Sequence, residues 1–168
     1  MTVPDYDDFY VALRPRLVRT AYAVCGDLGV AEDAVQTAFA KAYRSWSRIS
    51  RLEAPEAYVR RMAVNEVLNS RRTAHVRREV VRADLPDTAR VAHDDDALAH
   101  DEMWRAVLSL PPRQRAVLVL RYYEDLSEQQ IADVLGCRPG TVKSQASAAL
   151  ATLRTRFDQP TAAGEGRP

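Results

Sequence analysis

Cysteine is scarce in this chain of 168 residues, with Cys25 and Cys137 far apart and neither near a histidine at ligand spacing. A disulfide or zinc framework is therefore excluded, and a reduced protein with two buried thiols is expected. Long apolar runs are missing as well, and Met1 to Tyr10 is acidic instead of basic and then hydrophobic. Neither membrane insertion nor secretion is expected, which leaves the cytoplasm. The chain has no Gly-rich phosphate loop, no Ser/His/Asp arrangement of a known hydrolase and no histidine pair at metal-binding spacing on one helix. No catalytic residue, metal or cofactor is expected. His93, Asp94 to Asp96, His100 and Asp101 read as part of an acidic linker in preference to a cation site.

What the chain does have is charge, at 28% of residues, and the net value of +1 hides its segregation. Arg44, Arg48, Arg51, Arg60, Arg61, Arg71, Arg72, Arg77, Arg78 and Arg82 make the middle basic. Asp84, Asp87, Asp94 to Asp96, Asp101 and Glu102 make the next stretch acidic. A run of one sign this dense suits contact with phosphates better than an ordinary solvated face.

Apolar periodicity predicts an all-α chain of two small helical domains. Residues 1–78 form the first, 79–100 an acidic linker, 101–158 the second, and 159–168 a disordered tail. In the first domain, breaks near Gly26 to Gly29 and from Ser47 to Pro55 separate three helices. Their inward stripes are Phe9, Leu13, Leu17, Ala21 and Val24; then Val35, Ala38, Phe39, Ala42 and Trp46; then Val59, Met62, Ala63 and Val67. The second domain leads with a helix through Met103, Trp104, Val107 and Leu108, breaks at Pro111 and Pro112, and continues through Tyr123.

From Leu126 to Phe157 the residues spell two helices and a tight turn. Ser127 and Gln130 have capping-box spacing, Leu126 and Ile131 the spacing of a hydrophobic staple, and Gly136 suits the left-handed helix end. Pro139 opens the next helix, whose apolar face is Val142, Ala146, Ala149, Leu150, Leu153 and Phe157. Lys143, Ser144, Gln145 and Ser147 fall on its other side, where a helix in a major groove reads phosphates and base edges. This is the spacing of a DNA-binding helix-turn-helix.

The string Ala31-Glu32-Asp33-Ala34-Val35-Gln36-Thr37-Ala38-Phe39, continuing Lys41 to Trp46, resembles the second conserved segment of the promoter-melting domain in extracytoplasmic-function (ECF) sigma factors. Leu126-Ser127-Glu128-Gln129-Gln130-Ile131-Ala132, with Gly136 and Gly140 to Ser144, resembles their C-terminal domain. The likeness runs from Tyr6 to Phe157 and is nearest to the actinobacterial SigE-like branch of the sigma-70 family. It implies a dissociable subunit of bacterial RNA polymerase that docks on the core enzyme, on the β′ clamp and β, through Asp33, Gln36, Thr37 and Lys41. A mixed-charge face with Glu32 and Asp33 suits a protein partner better than DNA.

Arg61, Asn65, Asn69 and Arg72 share one face of the third helix, able to follow a single strand with amides on bases and guanidiniums on phosphates. The resemblance assigns Asn65 to a pocket for a flipped base of the promoter −10 element, with Arg60 and Arg71 flanking, and makes 47–55 a specificity loop. Holding the extruded base offsets a few kcal/mol of lost stacking and pairing. Trp46 is expected in the core, while Tyr43 and Tyr58 are open between core and stacking. For −35 duplex the implied contacts are Arg138, Thr141, Lys143, Ser144, Gln145 and Ser147. Here the chain departs from the family, since Gln145 and Ala148 stand where basic residues are common, which weakens the −35 grip and its salt dependence. Rival readings are a stand-alone helix-turn-helix regulator and a sigma mimic that sequesters an anti-sigma factor. The resemblance also admits an anti-sigma factor as partner and a free chain whose two domains fold together and hide the DNA faces.

Overall fold

The computed structural model describes residues 5–80 and 96–158, with side chains described for 5–70 and 101–158. Every element among them is helical. Helix α1 (Tyr6–Cys25) ends at Gly26, whose φ of 72° is left-handed and whose N–H donates to Tyr22 O. That conformation suits glycine, which has no Cβ to collide with the backbone. Asp27 then caps α2 (Leu28–Arg44), its carboxylate accepting from Val30 N at 3.0 Å. Gly29 thus lies inside α2 and not in the expected break, because the Asp27 cap starts the helix before it.

The segment expected as a loop after Trp46 contains a one-turn helix, α3 (Trp46–Ile49). Helix α4 (Pro55–Val80) is the long basic helix, opened by a proline that needs no N–H partner in a first turn. Leu17, Ala21 and Val24 of α1 meet Val35, Ala38, Phe39 and Ala42 of α2 and Val59, Ala63 and Val67 of α4 in one core. Trp46 belongs to it, its ring 5.4 Å from Tyr6 and 4.8 Å from Phe9. Tyr6 closes the cluster, its hydroxyl donating to Phe39 O at 2.9 Å, and burial pushes its pKa above the usual 10.0.

Helix α5 (Asp96–Leu108) begins before residue 101, inside the stretch expected as linker; 81–95 and the tail from 159 lie outside the described residues. Helix α6 (Pro112–Leu118) runs into a π-helical turn over Val119–Tyr123, and α7 (Glu128–Leu135) and α8 (Pro139–Asp158) complete the second unit. Asp125 has a φ of 55°, which aspartate tolerates better than most residues. Phe157, expected on the apolar face of α8, is 41% exposed in the last turn of that helix, where the ends of helices bury least. Cys25 is buried, its thiol donating to Asp27 O at 3.1 Å, but Cys137, expected buried, is only half so, and the two are not joined by a disulfide.

The two units are packed together. One buried cluster holds Leu17, Val24 and Val64 of the first with Val117, Leu120, Ile131 and Val134 of the second. Helices α1 and α4 face α6, the π turn and α7.

Candidate nucleic-acid and polymerase interfaces

The helix-turn-helix is fixed by local chemistry. Ser127 Oγ accepts from Gln130 N at 3.2 Å and Gln130 Oε1 accepts from Ser127 N at 2.9 Å, a reciprocal cap that satisfies two otherwise orphaned donors. Gly136, at φ 62°, ends α7 and lets the chain turn into α8. Val142, Ala146 and Ala149 face inward, which leaves Arg138, Thr141, Lys143, Ser144 and Ser147 exposed along one side. Gln145 is the exception. It sits half-buried, and its Oε1 is shielded from solvent with no partner among the described residues. One turn before buried Ala149 and one after Val142, it falls on the inward flank and not on the open face.

On α2 the burial of Ala34, Val35, Ala38 and Ala42 turns Asp33, Gln36, Thr37 and Lys41 outward, and all four are exposed. Lys41 also pairs with Glu66 of α4, which ties the outer face of α2 to its neighbour.

The face of α4 is divided. Arg61 and Asn69 are exposed, and the side chains of Arg71 and Arg72 lie outside the described residues. Asn65 is half-buried, its amide donating to Arg61 O at 2.9 Å and across the domain boundary to Val134 O of α7 at 3.0 Å. Arg60 does not face solvent as expected; its Nη1 lies 3.1 Å from Glu124 Oε2 of the second unit. The α7 carbonyl for Asn65 and the Glu124 carboxylate for Arg60 turn both away from an open strand-binding face. Between these helices a cleft of about 240 Å³ remains, bordered by Tyr58, Arg61, Leu126, Gln130 and Val134. Tyr58 is held there by Arg48, whose Nη2 donates to its hydroxyl at 3.1 Å while the guanidinium lies 5.6 Å from the ring centre.

Two charged residues that periodicity gave no reason to choose hold the units together. Glu124 has a fully shielded side chain, accepting from the Thr20 hydroxyl and pairing with Arg16 at 3.0 Å as well as with Arg60. Arg115 is 2% exposed and donates to Val24 O at 2.8 Å, Leu108 O at 2.7 Å, Leu110 O at 2.9 Å and Val107 O at 3.2 Å. Val24 O, Val107 O and Leu108 O lie at the ends of α1 and α5, where a helix leaves acceptors unpaired and its dipole favours a cation, and Leu110 O lies in the turn just after α5. Its place directly before the apolar run Ala116 to Leu120 was the one signal for Arg115; Glu124 had none.

Residues 9–77 match Sigma-70 region 2 and residues 100–153 match Sigma-70, region 4. The fold and its exposed faces therefore define a sigma-70-type transcription initiation factor. The RNA polymerase sigma-E factor of Streptomyces antibioticus is 36% identical over 93% of this chain and 86% of its own length. That of Streptomyces coelicolor is 34% identical over 90% of this chain and 85% of its own. The ECF RNA polymerase sigma factor SigL of Mycobacterium tuberculosis is 33% identical over 85% of this chain and 83% of its own. The chain belongs to the ECF group of the sigma-70 family. The solved sigma factor RpoE of Bartonella quintana, seen with the anti-sigma factor NepR, shares the fold, with a TM-score of 0.75, 21% identity and coverage of 91% of this chain and 96% of that one. Sigma factors bind RNA polymerase and promoter DNA; the relatives are initiation factors and not known enzymes. No helix among the described residues is long and apolar enough to cross a membrane.

Proposed function

We propose that this chain acts in the cytoplasm as a dissociable polymerase subunit with three working faces. The outer face of α2, through Asp33, Gln36, Thr37 and Lys41, docks on the β′ clamp, with further contact to β. Helix α4, through Arg61, Asn65, Asn69 and the flanking arginines Arg60, Arg71 and Arg72, captures the melted −10 strand. Helix α8, through Arg138, Thr141, Lys143, Ser144 and Ser147, grips −35 duplex. Gln145 does not share that task in the packed arrangement. Two modest DNA readers on one polymerase act at high effective concentration, so neither needs high affinity alone.

The observation that carries this reading is the outward placement of the α2 and α8 faces on opposite sides of inward apolar stripes. The packed arrangement, with Asn65 on Val134 O and Arg60 on Glu124, supports a free state in which the −10 face is covered. Such a state also suits capture by an anti-sigma partner, as a closed pair of domains presents one continuous surface. Asn65→Ala is expected to impair open-complex formation, read by permanganate reactivity of promoter thymines, far more than binding to core polymerase. Equal losses in both would overturn the assignment of α4. Promoter-dependent RNA from a reconstituted reaction separates the account from both a stand-alone regulator and a sigma mimic.

A further inference from the structure

Among the described residues, every partner of the Glu124 carboxylate lies in the other domain. Thr20 and Arg16 come from α1 and Arg60 from α4, while Glu124 itself follows the π turn of the second unit. A side chain that stabilised its own domain would find partners there. The backbone around it is unusual too, with the π turn before it and left-handed Asp125 after it, a combination that turns Glu124 inward and leaves Tyr122 and Tyr123 exposed. Irregular helical turns of this kind are common at functional positions.

We infer that Glu124 is an internal stand-in for promoter phosphate, a latch held in place by Arg16 and Thr20 that occupies Arg60 in the free chain and must release it before α4 can take a DNA strand. A carboxylate and a phosphate offer arginine the same charge and the same paired acceptors. Both therefore compete for one guanidinium. Arg60 borders the same cleft as Tyr58 and Arg61, where α7 lies across the start of α4. Opening costs these ion pairs together with the apolar contacts that cross the boundary, and the Glu124 carboxylate released to water is well solvated. Breaking it from one side alone leaves a charge buried without its partners, so the latch opens as a unit.

This inference rests on the assignment of α4 as a strand reader, and the test separates the two. The full chain is compared with Glu124→Gln, Arg16→Ala and Thr20→Val by small-angle X-ray scattering and by anisotropy of a short fluorescent single-stranded DNA at fixed salt. Glu124→Gln is expected to enlarge the radius of gyration and to tighten DNA binding about tenfold, the factor for roughly 1.4 kcal/mol. Arg16→Ala and Thr20→Val, each removing one latch contact outside the proposed DNA readers, move both readings the same way by less, and they decide the matter if Glu124→Gln fails to fold. Unchanged size and unchanged DNA affinity in the folded variants overturn the latch. Expansion with unaltered, measurable DNA binding overturns the competition for Arg60. Expansion with no DNA binding by any variant overturns the α4 assignment instead.

Discussion

Replacing Arg115 by methionine keeps the hydrocarbon stem in place and removes its donors to four carbonyls. Of these, Val24 O and Leu110 O make wholly buried bonds, at 2.8 and 2.9 Å, whereas those to Val107 O and Leu108 O are partly buried and open to water after the change. A buried acceptor left without a donor costs about 1–3 kcal/mol, so the two buried ones together cost about 2–6 kcal/mol. The middle of that range is a large share of the stability of an ordinary domain. Because Val24 belongs to α1 and Leu110 to the second unit, the loss also falls on the coupling between them. The chain has two tryptophans, Trp46 in the aromatic cluster of the first unit and Trp104 on α5, whose ring lies 5.6 Å from Tyr22 of α1 and so reports the second unit and its contact with the first. Urea unfolding is followed by Trp fluorescence in Trp104→Phe and Trp46→Phe backgrounds. With Arg115 present the two reporters unfold together, as one core crosses the boundary. In Arg115→Met the midpoints separate and the total stability falls by about 2–6 kcal/mol. Coincident transitions with a loss under about 1 kcal/mol would refute the assignment of Arg115 as the residue that couples the domains.

Gly26→Ala places a Cβ 2.5 Å from Leu108 Cδ2 at a left-handed residue, so both the helix end and the domain contact are strained. The left-handed penalty alone is about 1–2 kcal/mol, and thermal unfolding is expected to fall by roughly 2–8 °C. Ser127→Ala removes one half of the capping box and costs about 0.5–2 kcal/mol, measured by thermal denaturation, with Ser127→Asp restoring most of it.

Legibility followed sequence distance. The caps at Ser127, Gln130, Gly136 and Pro139 and the inward stripes of α1, α2 and α4 depend on neighbours within a helical turn, so spacing alone located them. The exposure of Asp33, Gln36 and Thr37 followed from the same periodicity. Gly29 was misplaced because a single well-placed cap at Asp27 outweighs the modest helix cost of one glycine. Gln145 was misplaced because its position borders the apolar stripe, where periodicity gives either answer. The contacts between the units could not be read: Thr20 and Glu124 are separated by 104 residues and Val24 and Arg115 by 91. A contact of that separation is created by tertiary packing, and no local pattern encodes it. The same packing covers Asn65 and Arg60, so residue type suggested their chemistry while the fold decided what they touch in the free chain.

The most direct measurement is initiation itself. Purified chain, bacterial core polymerase and a library of promoter-containing duplexes are combined, and RNA starts are sequenced. The account predicts starts at fixed distances from shared −10 and −35 sequences, present only when the chain is added and reduced by Asn65→Ala. Starts that do not depend on the chain, or that lack a shared upstream sequence, would contradict it.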